Sequence, residues 1–324
     1  MSGETLRVPR SILQPDPMLG PRRFASPIVR VALLFAVVGG ALVGASATAD
    51  ATVGDPVVSI PRSFRGLSGK LRMKIVPPPA DTFAAPEPVA FIFGAEAARR
   101  PDVWMVRDSV TQQPFAFLTL VRFTEKRDGR VGAYRVGRWP AEVRAPRSDA
   151  YALPSGFIEV TEQNADLPVS EHFRLRDFLD RNQPNVWPKA LVLEERLVDK
   201  LELITTELQR IGNVRARLLV MSGFRTPVTT ATGARSRRSP ESRHQYGDAA
   251  DVIVDGDGDG RMDDLNGDGR VDVRDTRILI TAIQTVEARY PELVGGIGMY
   301  RTGSVRGPFV HVDARGTSVR WGLP

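Results

Sequence analysis

The chain has 324 residues, of which 42% are hydrophobic and 25% are charged. This composition is typical of a globular protein and excludes disorder or a collagen-like repeat for the bulk of the chain. The net charge is +6 and the pI about 9.9. Half of that surplus lies in residues 1–49, so the pI does not indicate nucleic-acid binding and we expect no nucleic-acid partner. The absence of cysteine excludes disulfides, thiolate metal sites and cysteine nucleophiles.

Residues 1–49 are predicted to be a targeting segment. A basic stretch at 22–30 precedes an apolar run at 31–45, and small residues follow at 46–49. This order of regions is typical of a secretory signal. The apolar run is shorter than the roughly 20 residues that a membrane-spanning helix needs. We expect cleavage near Ala49 and export to the periplasm or cell envelope, with an uncleaved membrane anchor as the alternative.

The next part of the chain is predicted to be a linker followed by a small β module. Residues 50–86 are rich in proline and small side chains, which favours a linker with room for one short strand. Residues 87–150 are predicted to form an all-β module, with a hairpin around Asp128-Gly129 that joins its last two strands. The four predicted strands cover 89–93, 103–107, 115–123 and 131–136.

Residues 155–324 show alternating helix and strand signals, which predict an α+β domain. In the second predicted helix, apolar residues recur at steps of three and four before Gly212 ends it. The predicted helices cover 172–179, 190–212 and 274–290. The predicted strands cover 218–222, 250–254, 295–300 and 308–315.

The few histidines of this domain point to a metal site. Residues two apart on a strand share a face, so His311, Asp313 and Arg315 project together from the strand at 308–315. Polar groups on an apolar strand are costly unless they meet partners. A divalent cation bound by His244, Asp251 and His311 would satisfy them, and two imidazoles with one carboxylate suit Zn²⁺ with a fourth position for water. Separate hydrogen-bonded roles for the three side chains are the alternative.

These residues also carry a resemblance to a known family. The segment 242–251 matches the S-x-H-x-x-G-x-A-x-D signature of the zinc D-alanyl-D-alanine peptidases. The segment 222–227 resembles that family's S-G-[YF]-R-[ST]-P motif, and 296–300 followed by 309–313 resembles its H-x-D motif. The resemblance covers about half the chain. It implies a hedgehog/DD-peptidase-like domain with an antiparallel sheet and helices.

The resemblance also implies roles for single residues. His244, Asp251 and His311 match the zinc ligands, and Arg225 matches the arginine that holds the substrate or stabilises the oxyanion; a surface ion pair is the alternative for Arg225. Many relatives place a catalytic carboxylate three residues before the last ligand, where this chain has Pro308. Asp313 is then the nearest carboxylate, either as general base or as a group that orients an imidazole. Ser242 and Gly247 are expected to be structural.

An acidic insertion at 255–275 predicts calcium binding. Its second part fits the twelve-residue Ca²⁺ loop of an EF-hand or dockerin, with Gly269 at the sharp turn and Arg270 offering its carbonyl. The ligands predicted for this loop are Asp264, Asn266, Asp268, Arg270, Asp272 and Asp275. A possible second loop begins earlier and would share Asn266, with ligands Asp255, Asp257, Asp259 and Asp263. An acidic surface loop without a cation is the alternative.

Together these patterns predict an exported zinc metallopeptidase that also binds Ca²⁺ and hydrolyses peptidoglycan stem peptides. The expected reaction is D,D-carboxypeptidase or endopeptidase action through metal-activated water. Two rivals stay open: a zinc-containing wall-binding protein without activity, and a calcium-dependent interaction module. A membrane contact is expected only through an uncleaved N-terminal segment. His172 is expected to be a surface residue at the start of a helix.

Overall fold

The computed structural model describes residues 54–79, 88–213, 215–232, 239, 241–301 and 306–322. Within these ranges the fold is α+β, with four small sheets. None of the helices in this part of the chain combines the length and apolar character that crossing a bilayer requires. The predicted targeting segment at 1–49 lies outside the described residues.

The first sheet contains four strands in the order β1-β3-β4-β2. Strands β3 and β4 are antiparallel, and the two outer pairs are parallel. Two strands come from the segment predicted as a linker, where apolar side chains such as Met73 and Val76 are buried. The elements are β1 Val57–Val58, β2 Met73–Val76, α1 Val89–Phe93, α2 Ala95–Ala98, β3 Val103–Asp108 and β4 Pro114–Thr119.

The module is not all β, and the strand prediction for 89–93 is wrong. These residues form α1, which together with α2 buries Val89 and Ala98 against the first sheet. A five-residue apolar run does not distinguish a strand from a buried helical turn. The predicted hairpin is also wrong in its pairing. Strands β6 Arg130–Val131 and β7 Tyr134–Arg135 pair with each other, whereas β5 Val121–Arg122 pairs elsewhere.

A three-stranded sheet joins the module to the following domain. Its order is β5-β8-β9, with β8 at Gly156–Val160 and β9 at Lys189–Leu191. All pairs are antiparallel. Buried side chains from both sides of residue 150, such as Met73 and Leu197, belong to one hydrophobic core. The two segments therefore share their packing.

The largest sheet has five strands in the order β10-β11-β13-β12-β14. The three pairs from β10 to β12 are antiparallel and the β12–β14 pair is parallel. The elements of this part are α3 Glu195–Arg210, β10 Leu218–Ser222, α4 Pro227–Thr232, β11 Ala249–Val254, α5 Val273–Arg289, β12 Gly296–Tyr300, β13 Phe309–Asp313 and β14 Val319–Trp321.

The four strands predicted for this domain and the helices at α3 and α5 are confirmed. The predicted helix at 172–179 is wrong, because only a single 3₁₀ turn forms at Leu175–Phe178. Helix α3 starts later than predicted because residues 189–191 pair as β9 with β8. Such pairing between distant segments is not visible in local periodicity.

The five-stranded sheet has two different faces. Alternate residues Val252, Val310 and Val312 are buried in the core that contains the apolar residues of α3 and α5. Asp251 lies opposite His311 in the β11–β13 register, so these two side chains share the other face.

A buried ion pair ties α3 and α5 to the end of β13. The Lys200 side chain is fully buried and its Nζ donates to Glu287 Oε1 and to the Asp313 carbonyl oxygen, each at 2.7 Å. Arg320 also pairs with Glu287. Charges removed from water in this way depend on their partners.

We predict that Lys200→Ala lowers the free energy of unfolding by about 3–5 kcal/mol, because it leaves a buried carboxylate short of a partner. Lys74→Ala is the matched control, since Lys74 and Glu195 form a partly exposed pair at 2.7 Å; its cost should stay within about 1 kcal/mol. Urea denaturation measures both. Equal losses in the two variants would contradict this account.

Candidate metal centre

Three predicted ligands converge on the face of the β11–β13 pair that is turned away from α3 and α5. His244 Nε2 lies 3.1 Å from His311 Nδ1 and 3.2 Å from Asp251 Oδ1. His311 Nδ1 lies 3.0 Å from the same oxygen. All three residues are buried. Sixty residues of chain separate Asp251 from His311, and strand pairing brings them together.

This triangle fits a small tetrahedral cation. Zinc binds imidazole nitrogen and carboxylate oxygen at about 2.0–2.1 Å, so two ligand atoms of a tetrahedral site lie roughly 3.3–3.4 Å apart. The three observed separations are 3.0–3.2 Å. The group could therefore hold a metal ion. Two imidazoles and one carboxylate make Zn²⁺ chemically suitable.

His244 is positioned by its local backbone. It lies on a 3₁₀ turn, Arg243–Tyr246, which ends at Gly247 in the left-handed conformation with φ 70°. A β-carbon at Gly247 would overlap the Val192 carbonyl, so glycine is required there. His244 Nδ1 lies 2.6 Å from the Gly223 carbonyl oxygen. A carbonyl only accepts hydrogen bonds, so Nδ1 carries the proton and Nε2 keeps its lone pair for a metal.

His311 is oriented in the same way by a carboxylate. Its Nε2 lies 3.2 Å from Asp313 Oδ2 and donates to it, which leaves Nδ1 facing Asp251 and His244. Asp313 is fully buried and also accepts from the Arg315 side chain and from the Gly296 backbone N–H. A carboxylate that holds the outer nitrogen of a ligating histidine fixes both the tautomer and the ring plane.

The charges around Asp251 keep its carboxylate ionised. Burial lowers the pKa of His244, and the nearby Arg225 adds to that, which favours the neutral ring. Burial raises the pKa of Asp251, but His244, His311 and Arg225 more than offset it, and the pKa lies well below its ordinary value. Burial lowers the pKa of His311, yet hydrogen bonds with Asp251 and Asp313 raise it overall. Asp251 is therefore an anion that lies between two imidazoles.

Arg225 lies at the edge of this group. Its guanidinium donates to Asp251 Oδ2, and its Nε donates to Ser222 Oγ at 2.7 Å. The carboxylate oxygen that does not face the histidines is thus taken by Arg225. Arg225 does form an ion pair, as the alternative interpretation expected. Its partner is the predicted metal ligand Asp251 and not a surface group.

Two roles were considered for Asp313, general base and orienting group, and its contacts bear on both. Its side chain lies behind His311, bound to Arg315 and a backbone N–H, and not on the side where His311 Nδ1 points. Burial raises the pKa of Asp313, but hydrogen bonds from His311 and Arg315 lower it far more. The contacts are those of a group that orients an imidazole.

The sequence patterns missed several residues that build the centre. The Gly223 carbonyl holds His244, and a β-carbon at Gly223 would overlap the backbone of Phe178. Trp321 packs against His311 with ring centroids 5.1 Å apart. Gly223 belongs to the motif at 222–227, so the sequence did contain a signal for this residue. Nothing local marks Trp321, because β14 reaches the site through strand pairing.

The acidic insertion directly follows β11. Carboxylate oxygens of Asp255, Asp257 and Asp263 lie close enough together to hold a cation. Asp263 has a raised pKa, through burial and the neighbouring acidic residues, although a hydrogen bond from Gly256 opposes this. In the later loop, Asp264 accepts from the backbone of Gly269. Among the described residues, the carboxylates of the first loop therefore lie closer together than those of the later loop.

The later loop is folded around its last two predicted ligands, Asp272 and Asp275. Asp275 is buried and accepts from the backbone N–H groups of Leu265 and Asp272 at 2.9 and 2.7 Å. Asp272 caps α5 through the Arg274 N–H. The other ligands predicted for this loop, Asn266, Asp268 and Arg270, and Asp259 of the first loop, lie on exposed turns.

Comparisons with family models, with curated proteins and with solved structures found no match to this chain. The family resemblance therefore depends on the motifs alone.

We predict that Asp313→Asn weakens Zn²⁺ affinity by about 10-fold to 100-fold, because the histidine loses the charged partner that orients it. Asp166→Asn is the control, since Asp166 is an exposed residue paired with Arg176. Competition with a chromophoric chelator gives both dissociation constants. Unchanged affinity in Asp313→Asn would remove the orienting role.

Proposed function

We propose that the protein is an exported zinc peptidase with a hedgehog/DD-peptidase-like domain that hydrolyses peptidoglycan stem peptides. The reaction would be D,D-carboxypeptidase or endopeptidase cleavage. The observation that supports this most is the convergence of His244 Nε2, Asp251 Oδ1 and His311 Nδ1 at 3.0–3.2 Å from one another. In each imidazole the outer nitrogen already has an acceptor, the Gly223 carbonyl or Asp313, so the inner nitrogen is the one that would bind a metal after losing its proton.

Each residue has a defined task in this proposal. His244, Asp251 and His311 hold the ion, and Gly223 and Asp313 fix the two imidazoles. A zinc ion bound by three protein groups lowers the pKa of a bound water to about 7 and polarises a carbonyl.

Arg225 keeps Asp251 oriented, and the Arg225 guanidinium places a positive charge at the edge of the site. That charge suits the carboxylate of a peptide end or the oxygen of a reacting amide.

The rival function is a zinc-containing wall-binding protein without activity. The observation that favours it is the position of Asp313, whose two oxygens already accept from His311, Arg315 and Gly296. Pro308 stands where related enzymes have a carboxylate. A protein that keeps its metal ligands but has no base would still bind the substrate.

We further propose that the acidic insertion binds Ca²⁺ and fixes the segment between β11 and α5. Unpaired carboxylates repel one another without a cation, and Asp255, Asp257 and Asp263 lie together directly after the strand that carries Asp251. A calcium-dependent interaction module is the alternative use of the same segment.

We predict that the zinc-loaded protein releases new muropeptides from purified sacculi and that a chelator abolishes their release. His244→Ala should lower the rate by at least about 100-fold, because it removes a ligand of the metal that activates water. His172→Gln is the control, since His172 bonds to Glu202 and lies outside the centre. Mass spectrometry of the products measures the cleavage and identifies the bond.

Two results would decide against the peptidase function. One equivalent of zinc with sacculus binding and no new products would support the wall-binding rival. Absence of zinc binding in the wild type would contradict both.

We predict that Ca²⁺ raises the melting temperature of protein prepared without calcium. At a concentration of 100 times Kd, one site adds about 2.7 kcal/mol to the free energy of unfolding. Asp257→Asn should reduce this gain and Asp149→Asn, an exposed control, should not. A melting temperature that is insensitive to Ca²⁺ in the wild type would leave the insertion as a bare loop.

A further inference from the structure

An aromatic group formed by Trp321, Tyr300 and Phe309 lies beside the metal centre on strands β14, β12 and β13 of the five-stranded sheet. The rings of Trp321 and His311 are 5.1 Å apart and tilted by 48°. Trp321 Nε1 donates to the Tyr300 hydroxyl at 3.1 Å. The Tyr300 ring in turn stacks on Phe309 at 4.6 Å, with nearly parallel planes. Trp321 is half-buried, so it separates His311 from solvent on that side.

Trp321 reaches His311 across an intervening strand. It lies on β14, whereas His311 lies on β13, and β12 runs between them. Gly298 of β12 is the register partner of both residues. A β-carbon at Gly298 would overlap the indole ring, so the contact exists only because position 298 has no side chain. Glycine weakens a strand interior, and here it permits a specific approach of two side chains.

The contact adds a further restraint on the orientation of the His311 ring. The Asp313 bond restrains a single ring atom at 3.2 Å. Rotation of a histidine ring about its last torsion is otherwise broad. The indole lies against the imidazole ring with centroids 5.1 Å apart and so limits this rotation from one side.

We propose that Trp321 is a positioning residue for the metal ligand His311, held in place by Tyr300 and admitted by Gly298. Together with Asp313, it holds the ring plane so that Nδ1 faces His244 and Asp251, and thereby raises the affinity of the centre for Zn²⁺. The inference rests on the metal site of the proposed function, but it concerns affinity and not the reaction.

The test is a double-mutant cycle on Zn²⁺ affinity, measured by competition with a chromophoric chelator. Trp321→Ala should weaken binding by about 10-fold to 100-fold, as expected for a group that orients a ligand. Gly298→Ala should have a similar effect because it displaces the indole. The two changes together should weaken binding no more than Trp321→Ala alone, because they remove the same contact.

Two further variants grade the effect. Trp321→Phe keeps an aromatic face and should recover most of the affinity. Tyr300→Phe removes the partner of the indole N–H and should cost several-fold. Trp104→Phe is the control, because its indole donates to Thr119 in the first sheet. Circular dichroism of each metal-free variant verifies the fold.

A spectroscopic readout is independent of affinity and activity. Co²⁺ should quench the fluorescence of the wild type and of Trp104→Phe through the nearby Trp321, and quench Trp321→Phe much less. Wild-type Zn²⁺ affinity in Trp321→Ala would overturn the inference while leaving the proposed function intact. Additive effects of Gly298→Ala and Trp321→Ala would overturn it as well. Failure of the wild type to bind Zn²⁺ would overturn the proposed function itself.

Discussion

The register between β11 and β13 is the constraint on which the centre depends. Asp251 lies opposite His311, so a shift of one residue would turn one of them into the core. The register is held from the other face, where Val252, Val310 and Val312 are buried with the helices. Hydrophobic packing on one side of the sheet therefore determines the spacing of polar atoms on the other.

Each histidine of the centre is held by two different kinds of partner. Inward, the rings face each other and Asp251; outward, His244 meets a backbone carbonyl and His311 a carboxylate. The Asp313 carboxylate accepts a hydrogen bond from Arg315, and the Asp313 carbonyl oxygen accepts one from Lys200. Lys200 also pairs with Glu287 on α5. A chain of buried polar groups thus connects the helical layer with the ligand set. Such networks are sensitive to the loss of any member, because a partner left behind stays desolvated.

Much of the candidate site was predictable because its residues are close in sequence or follow strand periodicity. The alternation of His311, Asp313 and Arg315 placed them on one face, and Arg315 does bond to Asp313. What could not be predicted depends on distant pairing. Trp321 meets His311 only through β14, and the segment at 89–93 becomes a helix because of the sheet it covers. Local periodicity carries no information on either contact.

The core shared across residue 150 has a consequence for what can fold alone. Strand β8, at the start of the segment that bears the candidate metal ligands, pairs on one side with β5 from the preceding module. Leu71 and Met73 belong to the same apolar cluster as Leu197 and Leu201 on α3. Cutting the chain between these parts would expose β8 as an edge strand and would expose the apolar face of α3. Exposed edge strands and apolar surfaces promote self-association. We therefore expect the segment from β8 onward to need the first sheet, β1 to β4, in order to fold.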